Sequence, residues 1–401
     1  MQEKEIEKVI TVTLMRSDLY DSPAYAGAYL TLPAHVGEIQ DALQRARVMD
    51  GQTYQIIECF NMQGEELDFI PDKPSLDELN FLAYRISSLN ENDRVAFTGS
   101  VKKNDRFSTM QELINLTYDL EDVHIIQVTN DRELGKFYVD NDFVDVVSKL
   151  PPENQEEIIE LLDFEKIGRK QREIENGIYV DGKYVVDHRS QRQLYDGINL
   201  PEHPFMQEYI FELMVSDSTF YPDGIDECTL LRLPATPEEI KNVLAEQNVK
   251  SLDDCLVFTN KSLIPQLNGV LGEYENIRKI KMLAEMIHEL PCQGQEAKYK
   301  AALELMDCKD IDLAMDIAQN LNSFDFYPEL SSPDEYAKQE FFRKYHIPLD
   351  DPATQMIHFP ASASVFMEKD HAQITPYGII RTNDQPMVME YSIKQVGQQM
   401  L

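Results

Sequence analysis

Apolar residues recur at helical spacing in SLDELNFLAYRISSL, residues 75–89, where Leu76, Leu79, Leu82, Ala83, Ile86 and Leu89 share one face. Ser75 with Glu78 three residues on is a capping box, so the pattern predicts a helix starting there. It is answered by IRKIKMLAEMIHEL, where Leu283, Ala284, Ile287 and Leu290 follow Leu82, Ala83, Ile86 and Leu89 by 201 residues. A constant offset of that size points to an internal duplication.

The remaining pattern, taken in order, fits two copies. VITVTLM, residues 9–15, alternates as a strand, and a loop holding Ser17, Asp18 and Pro23 leads to a second strand over residues 25–32. Leu213, Met214, Ser216 and Asp217 repeat the first of these 199 residues on, and the offset of 201 is restored at Leu233 and Pro234. A helix over 36–47 has its counterpart after Thr236-Pro237-Glu238-Glu239, a capping box with proline at the first helical position. Third strands are expected over 54–60 and 254–259.

Each copy then turns helical, with predicted helices over 94–101 and 297–305, a third capped by Thr109 and Glu112, and a fourth over 131–137 matched by 334–342; these are expected to pack as a small bundle. After Pro151 and Pro152 comes an acidic helix, ENQEEIIELLDF, and NGIYVDGKYVV closes the copy as a hairpin. The closing strands of the second copy are expected over 377–380 and 387–389. The fold class is therefore α+β: a first repeat over 1–187, a polar linker over 188–208 containing Pro201 and Pro204, and a more divergent second repeat over 209–401.

Charge changes the picture. The chain has 71 acidic and 37 basic side chains, a formal net charge of -34. Residues 1–200 carry 38 and 21 of them, net -17, leaving 33 and 16, again net -17, so the acidity is spread over both copies and is not a tail. Such a charge disfavours direct binding to nucleic acid or to an anionic membrane. Five cysteines, Cys59, Cys228, Cys255, Cys292 and Cys308, contain no C-x-x-C pair and fit reduced thiols; with no apolar run of membrane length and a charged start, MQEKEIEK, a cytoplasmic location is expected.

Catalytic signatures are missing. The sequence contains no P-loop, dinucleotide-binding glycine pattern, H-E-x-x-H, G-x-S-x-G or EF-hand loop, and no cofactor is expected. His288 and Cys292 in HELPC are at most half a zinc site; a helix end stopped by Pro291 is the simpler account.

The acidic residues themselves are the candidate chemistry. In ENQEEIIELLDF, Glu153 with Glu157 and Glu156 with Glu160 are like-charge pairs four apart, each destabilising a helix by about 0.2–0.5 kcal/mol. Asp119, Glu121 and Asp122, Asp131 and Glu133, and Asp140, Asp142 and Asp145 form further clusters, with Asp307, Asp310, Asp312 and Asp316 in the second copy. At one charge per ~1.7 Å of duplex axis, -34 equals the charge of about 17 base pairs. An elongated, rigid protein so charged would enter a basic DNA-binding groove.

LTLPAHVGEIQDAL, SLDELNFLAYRISSL, STMQELINLTYDL and LLDFEKIGRK before NGIYV together resemble the ArdA antirestriction proteins of bacterial mobile elements, in order over residues 9–186 and more weakly over 211–380. The resemblance implies an elongated line of small α/β domains that imitates bent DNA, binds the methyltransferase and specificity core of type I restriction-modification enzymes and blocks its groove without catalysis. The residues expected to do so are Asp119, Glu121, Asp122, Asp131, Glu133, Asp140, Asp142, Asp145, Glu153, Glu156, Glu157 and Glu160. The second copy departs from the pattern, with MIHFPASASVFMEKD in place of LLDFEKIGRK and with Lys279, Lys281, Lys298 and Lys300 on its helices. Members of that family are single units that dimerise, so a pseudo-dimer within the chain and a homodimer both stay open. The alternatives are an inhibitor of another nucleic-acid-binding defence system, an acidic module that binds a basic relaxase or partition protein of its own element, and an enzyme using dispersed carboxylates and a metal.

Overall fold

The computed structural model describes residues 6–20, 27–104, 107–144, 159–189, 192–217, 228–272, 275–290, 292–352 and 354–392. The architecture is mixed α and β, with twelve α-helices and four three-stranded antiparallel sheets among the described residues.

In the N-terminal half, β1 (Ile10–Arg16) lies between β2 (Ala28–Leu32) and β3 (Tyr54–Asn61). Ile10, Val12 and Leu14 point into the core, as the alternating sequence requires. Four helices follow or interleave: α1 (Val36–Arg45), α2 (Leu76–Ser87), α3 (Glu91–Lys103) and α4 (Met110–Leu116). The caps fall where the sequence puts them, since Thr109 Oγ1 accepts from Glu112 N and Ser75 Oγ from Glu78 N. The Ser75 box is only half made, because the Glu78 carboxylate accepts the Tyr195 hydroxyl at 3.1 Å.

Next come β4 (Val123–Ile126), α5 (Asp131–Asp140), α6 (Phe164–Glu175), β5 (Ile178–Val180) and β6 (Lys183–Asp187). The fourth predicted helix, α5, is not part of a bundle with its predecessors. It crosses α6 where Gly135 meets Gly168, so closely that a Cβ on Gly135 would lie 1.9 Å from the Phe164 carbonyl oxygen. The expected hairpin, β5 with β6, takes up β4 as a third strand, with Val123 opposite Asp187.

The C-terminal half has the same succession: β7 (Phe211–Asp217), β8 (Thr229–Leu233), α7 (Pro237–Glu246), β9 (Cys255–Ser262), α8 (Ile277–His288), α9 (Gln293–Leu305), α10 (Ile311–Gln319), β10 (Phe324–Tyr327), α11 (Pro333–Tyr345), α12 (Phe359–Lys369), β11 (Gln373–Thr375) and β12 (Gly378–Thr382). The sheets are ordered β8-β7-β9 and β10-β12-β11, against β2-β1-β3 and β4-β6-β5. Pairing between the first and third strands slips between Thr13 and Leu14 in one half and between Met214 and Val215 in the other, both 201 residues apart. The bonds Leu32-Pro33 and Leu233-Pro234 are both cis. At the α11/α12 contact, Ala337 and Ala363 are buried small residues.

One strand differs from expectation. Residues 387–389 form none; Val388 is held by the Asn320 side chain, which accepts from its N–H and donates to its carbonyl, so a side chain at the end of α10 stands in for a neighbouring strand. The partner of β12 is instead the short β11 before it.

The stretch expected as a linker is packed along the N-terminal half over its described residues. Tyr195 is buried, its carbonyl accepting from Gln111 and Asn115 and its N–H donating to Asn115 Oδ1. Phe205 is buried beside the His35 ring, 4.5 Å between centroids.

The two halves meet at α1. Lys300 on α9 has no exposed surface and donates to Asp41 Oδ1 at 3.2 Å and to Gln44 Oε1 at 2.8 Å, while pairing with Glu296 at 2.9 Å. The Tyr377 hydroxyl donates to Asp41 at 2.7 Å, and Arg47 Nη2 donates to the Thr375 carbonyl. A buried cation held by two carboxylates and an amide, one of those carboxylates also taking a phenol, is stable only while its partners stay in place, so this node fixes α1 against α9 and the β11–β12 turn.

Candidate partner-binding carboxylates

The twelve carboxylates expected to face a partner fall into three groups. Asp119 is 3 % exposed, just beyond α4, and accepts from Arg192 N at 3.1 Å with the Arg192 guanidinium 3.9 Å away. It anchors the segment after β6 and cannot present charge outward.

Asp131, at the start of α5, is neutralised. Arg172 on α6 donates to both its oxygens at 2.8 and 3.1 Å and the Tyr179 hydroxyl donates at 3.0 Å. The Arg172 hydrogen bonds hold its carboxyl below the usual carboxylate range, although desolvation acts the other way. Glu133 accepts from Thr129 N and Oγ1 at 2.8 and 2.9 Å, completing the turn that starts α5, and these bonds lower its pKa. All three serve the fold: Asp119 is buried, Asp131 is paired across to α6, and Glu133 closes its own cap while staying exposed.

Glu121, Asp122, Asp140, Asp142 and Glu160 are exposed and pair with no cation among the described residues. Glu121 and Asp122 lie in the turn before β4. Asp140 ends α5, where the helix dipole disfavours a negative side chain by roughly 0.3–1 kcal/mol, and Asp142 follows in the left-handed region, φ 58°. Helix stability does not account for either. Asp145, Glu153, Glu156 and Glu157, with the first half of the ENQEEIIELLDF segment, lie outside the described residues.

Half of the acidic cluster of the C-terminal half is internal. Asp312 is buried and takes Lys279 at 2.7 Å. Asp316, fully buried, is desolvated, yet hydrogen bonds from Ser392 and from the backbone N–H groups of Glu390, Tyr391 and Ser392 outweigh that and lower its pKa. Asp310 caps α10, and Asp307 pairs with Lys309. Three of the basic residues that set this half apart are paired within the chain, Lys279 with Asp312, Lys281 with Glu285 and Lys300 at the joint; Lys298 is partly buried, and desolvation lowers its pKa against the pull of Asp325.

A further acidic run escaped the sequence reading. Glu65, Glu66, Asp68 and Asp72, between β3 and α2, and Asp77 in the first turn of α2 are all exposed, with Lys73 the one basic residue of residues 65–77. The signal was present in EELDFIPD, a loop carrying four acidic residues and no basic one.

His288 and Cys292 line a cavity of about 310 Å³ beside the joint, together with Glu208 and Glu296. No group of three or more His, Cys, Asp or Glu placed to hold a metal ion occurs among the described residues. Nor, among them, is any helix long and apolar enough to cross a membrane. Comparison with protein-family models and with curated proteins finds no match to this chain.

Proposed function

We propose that this chain is a tandem of two ArdA-like units acting in the cytoplasm as a non-enzymatic DNA mimic, which occupies the DNA-binding groove of a type I restriction-modification enzyme. The common succession of elements and the strand slip at the same place in each half support the tandem reading. One observation carries the function: exposed carboxylates stand where they do not serve the fold, with Asp140 and Asp142 at the wrong end of a helix and Glu121, Asp122 and Glu160 without a cation among the described residues. A charge set kept against local stability is best accounted for by a basic partner.

The test is block neutralisation: Glu121→Gln, Asp122→Asn, Asp140→Asn, Asp142→Asn and Glu160→Gln together, assayed as inhibition of restriction at two salt concentrations. At ~0.2–1 kcal/mol per exposed charge pair, inhibition at low salt weakens by about tenfold or more, and the gap narrows as salt rises. Inhibition unchanged by the block at low salt removes the basis for the proposal. Recovery from the host of a basic relaxase or partition protein, with no methyltransferase or specificity subunit, favours the acidic-module alternative.

A further inference from the structure

The joint between the halves has an unfilled counterpart. In the C-terminal half, α1 is received by three walls: α9 through Lys300, the loop after β9 through Leu263, and the β11–β12 turn through Thr375 and Tyr377. Gly37 makes the approach feasible, since a Cβ there would be 3.0 Å from Leu263 Cβ.

The corresponding walls of the N-terminal half are α3, the loop after β3 and the β5–β6 turn. They enclose a cleft of about 850 Å³ lined by Val9, Leu67, Phe69, Ile86, Phe97 and Val101. Met62, flanked by the lining residues Asn61 and Gln63, takes the place of Leu263, 201 residues earlier; Leu263 is 5 % exposed under α1, whereas Met62 is 48 % exposed. Glu65, Glu66, Asp68 and Asp181 stand on the rim against Lys102.

We propose that this cleft is a docking site for a basic, amphipathic helix of a partner protein. The geometry is that of a helix receptor, because the same arrangement of elements in this chain already holds a helix. The acidic rim selects the charge of the occupant. A second copy of the chain is a poor fit: the helix corresponding to α1 is α7, which has Glu238 where α1 has Gly37 and adds Glu239 and Glu246 to Lys241, so bulk and like charge oppose entry. The site is independent of DNA mimicry, being apolar where a backbone mimic is not.

The test uses the full chain and a fluorescent helical peptide of about 14 residues, long enough for marginal helicity, with Ala, Gly and Leu on one face and Lys on the other. The peptide binds at least ~10-fold tighter than a scrambled peptide of the same composition, and Met62→Lys removes at least ~10-fold, with the thermal unfolding curve unchanged because the side chain is exposed. Glu66→Lys weakens binding at low salt and serves if Met62→Lys perturbs folding. No binding, equal binding of the scrambled peptide, or full affinity in both variants overturns the proposal. Concentration-dependent dimers of the parent that Met62→Lys dissociates overturn it as well, assigning the cleft to self-association.

Discussion

Replacing Lys300 by methionine tests whether the two halves are joined as described. The ammonium is fully buried and its loss leaves the Asp41 carboxylate, 6 % exposed in side chain, without its nearest charge on the opposite half. Breaking a buried pair by removing one partner costs about 3–5 kcal/mol. Asp41 keeps Arg45 at 2.8 Å and the Tyr377 hydroxyl at 2.7 Å, and Glu296 is 21 % exposed and can turn to water, so the expected loss falls at or just below that range, about 2–3 kcal/mol.

A chain of two halves need not unfold in one step, so the assay is native-state hydrogen exchange, which reads local opening. Amides of α1 and α9 exchange roughly 30- to 150-fold faster in the variant, the equivalent of that loss at 1.4 kcal/mol per decade, while those of α5 and α6 do not change. Burial opposes ionisation of Asp41, but Lys300, Arg45 and Tyr377 together hold its pKa below the ordinary 3.8. Its contribution is therefore present above that value and lost as pH falls through the lower, folded-state pKa; without Lys300 the folded pKa rises, and acid opening of the joint begins at higher pH. Asp41→Asn in the same background should cost less than in the parent, a coupling of at least ~1 kcal/mol. Exchange at α1 within about threefold of the parent, with additive effects of the two substitutions, would refute the node as the fastening of the halves.

Three further outcomes follow from the packing. Gly135→Ala puts a Cβ 1.9 Å from the Phe164 carbonyl, so α5 and α6 must separate, with a loss of about 1–3 kcal/mol read as faster exchange confined to 131–140 and 164–175. Asp119→Ala removes a carboxylate acceptor, itself buried, from the Arg192 N–H and costs about 1–3 kcal/mol in thermal or urea unfolding, whereas Glu121→Gln with Asp122→Asn changes stability by no more than about 0.5 kcal/mol. His35 has its pKa pushed down to about 4 by burial beside Phe205 and Tyr209, opposed by Glu38. It is neutral in both states above its ordinary 6.5, and its share of stability is lost as pH falls from there toward 4; allowing for partial exposure this is about 1–2 kcal/mol, and His35→Thr removes it from the pH profile.

Local signals made most elements legible. Ser75, Thr109 and Thr236 mark helix starts because capping is a contact within four residues, and the 3.6 and 2.0 periods of Leu79, Leu82 and Val12, Leu14 report which face is buried without knowledge of its partner. What escaped was set by distant contacts. VHII of β4 is too short to declare itself and becomes a strand by pairing with β6. The run at 387–389 looks like a strand, but Asn320 captures its backbone.

The carboxylates divide along the same line. Asp119 and Glu121 are indistinguishable in sequence, two residues apart in one acidic cluster; the buried one is decided by Arg192, 73 residues away. Lys300 reads as surface charge and is fully buried, because Asp41, 259 residues earlier, meets it. The joint is built from positions at which the halves differ: Gly37 against Glu238, Asp41 against Asn242, Lys300 against Gly99. A period in the sequence can only announce what two halves share, which is their cores. Whatever lets one half bind the other, or leaves one cleft open while its counterpart is filled, has to lie in the departures from that period, and those acquire meaning only when the partner across the joint is known.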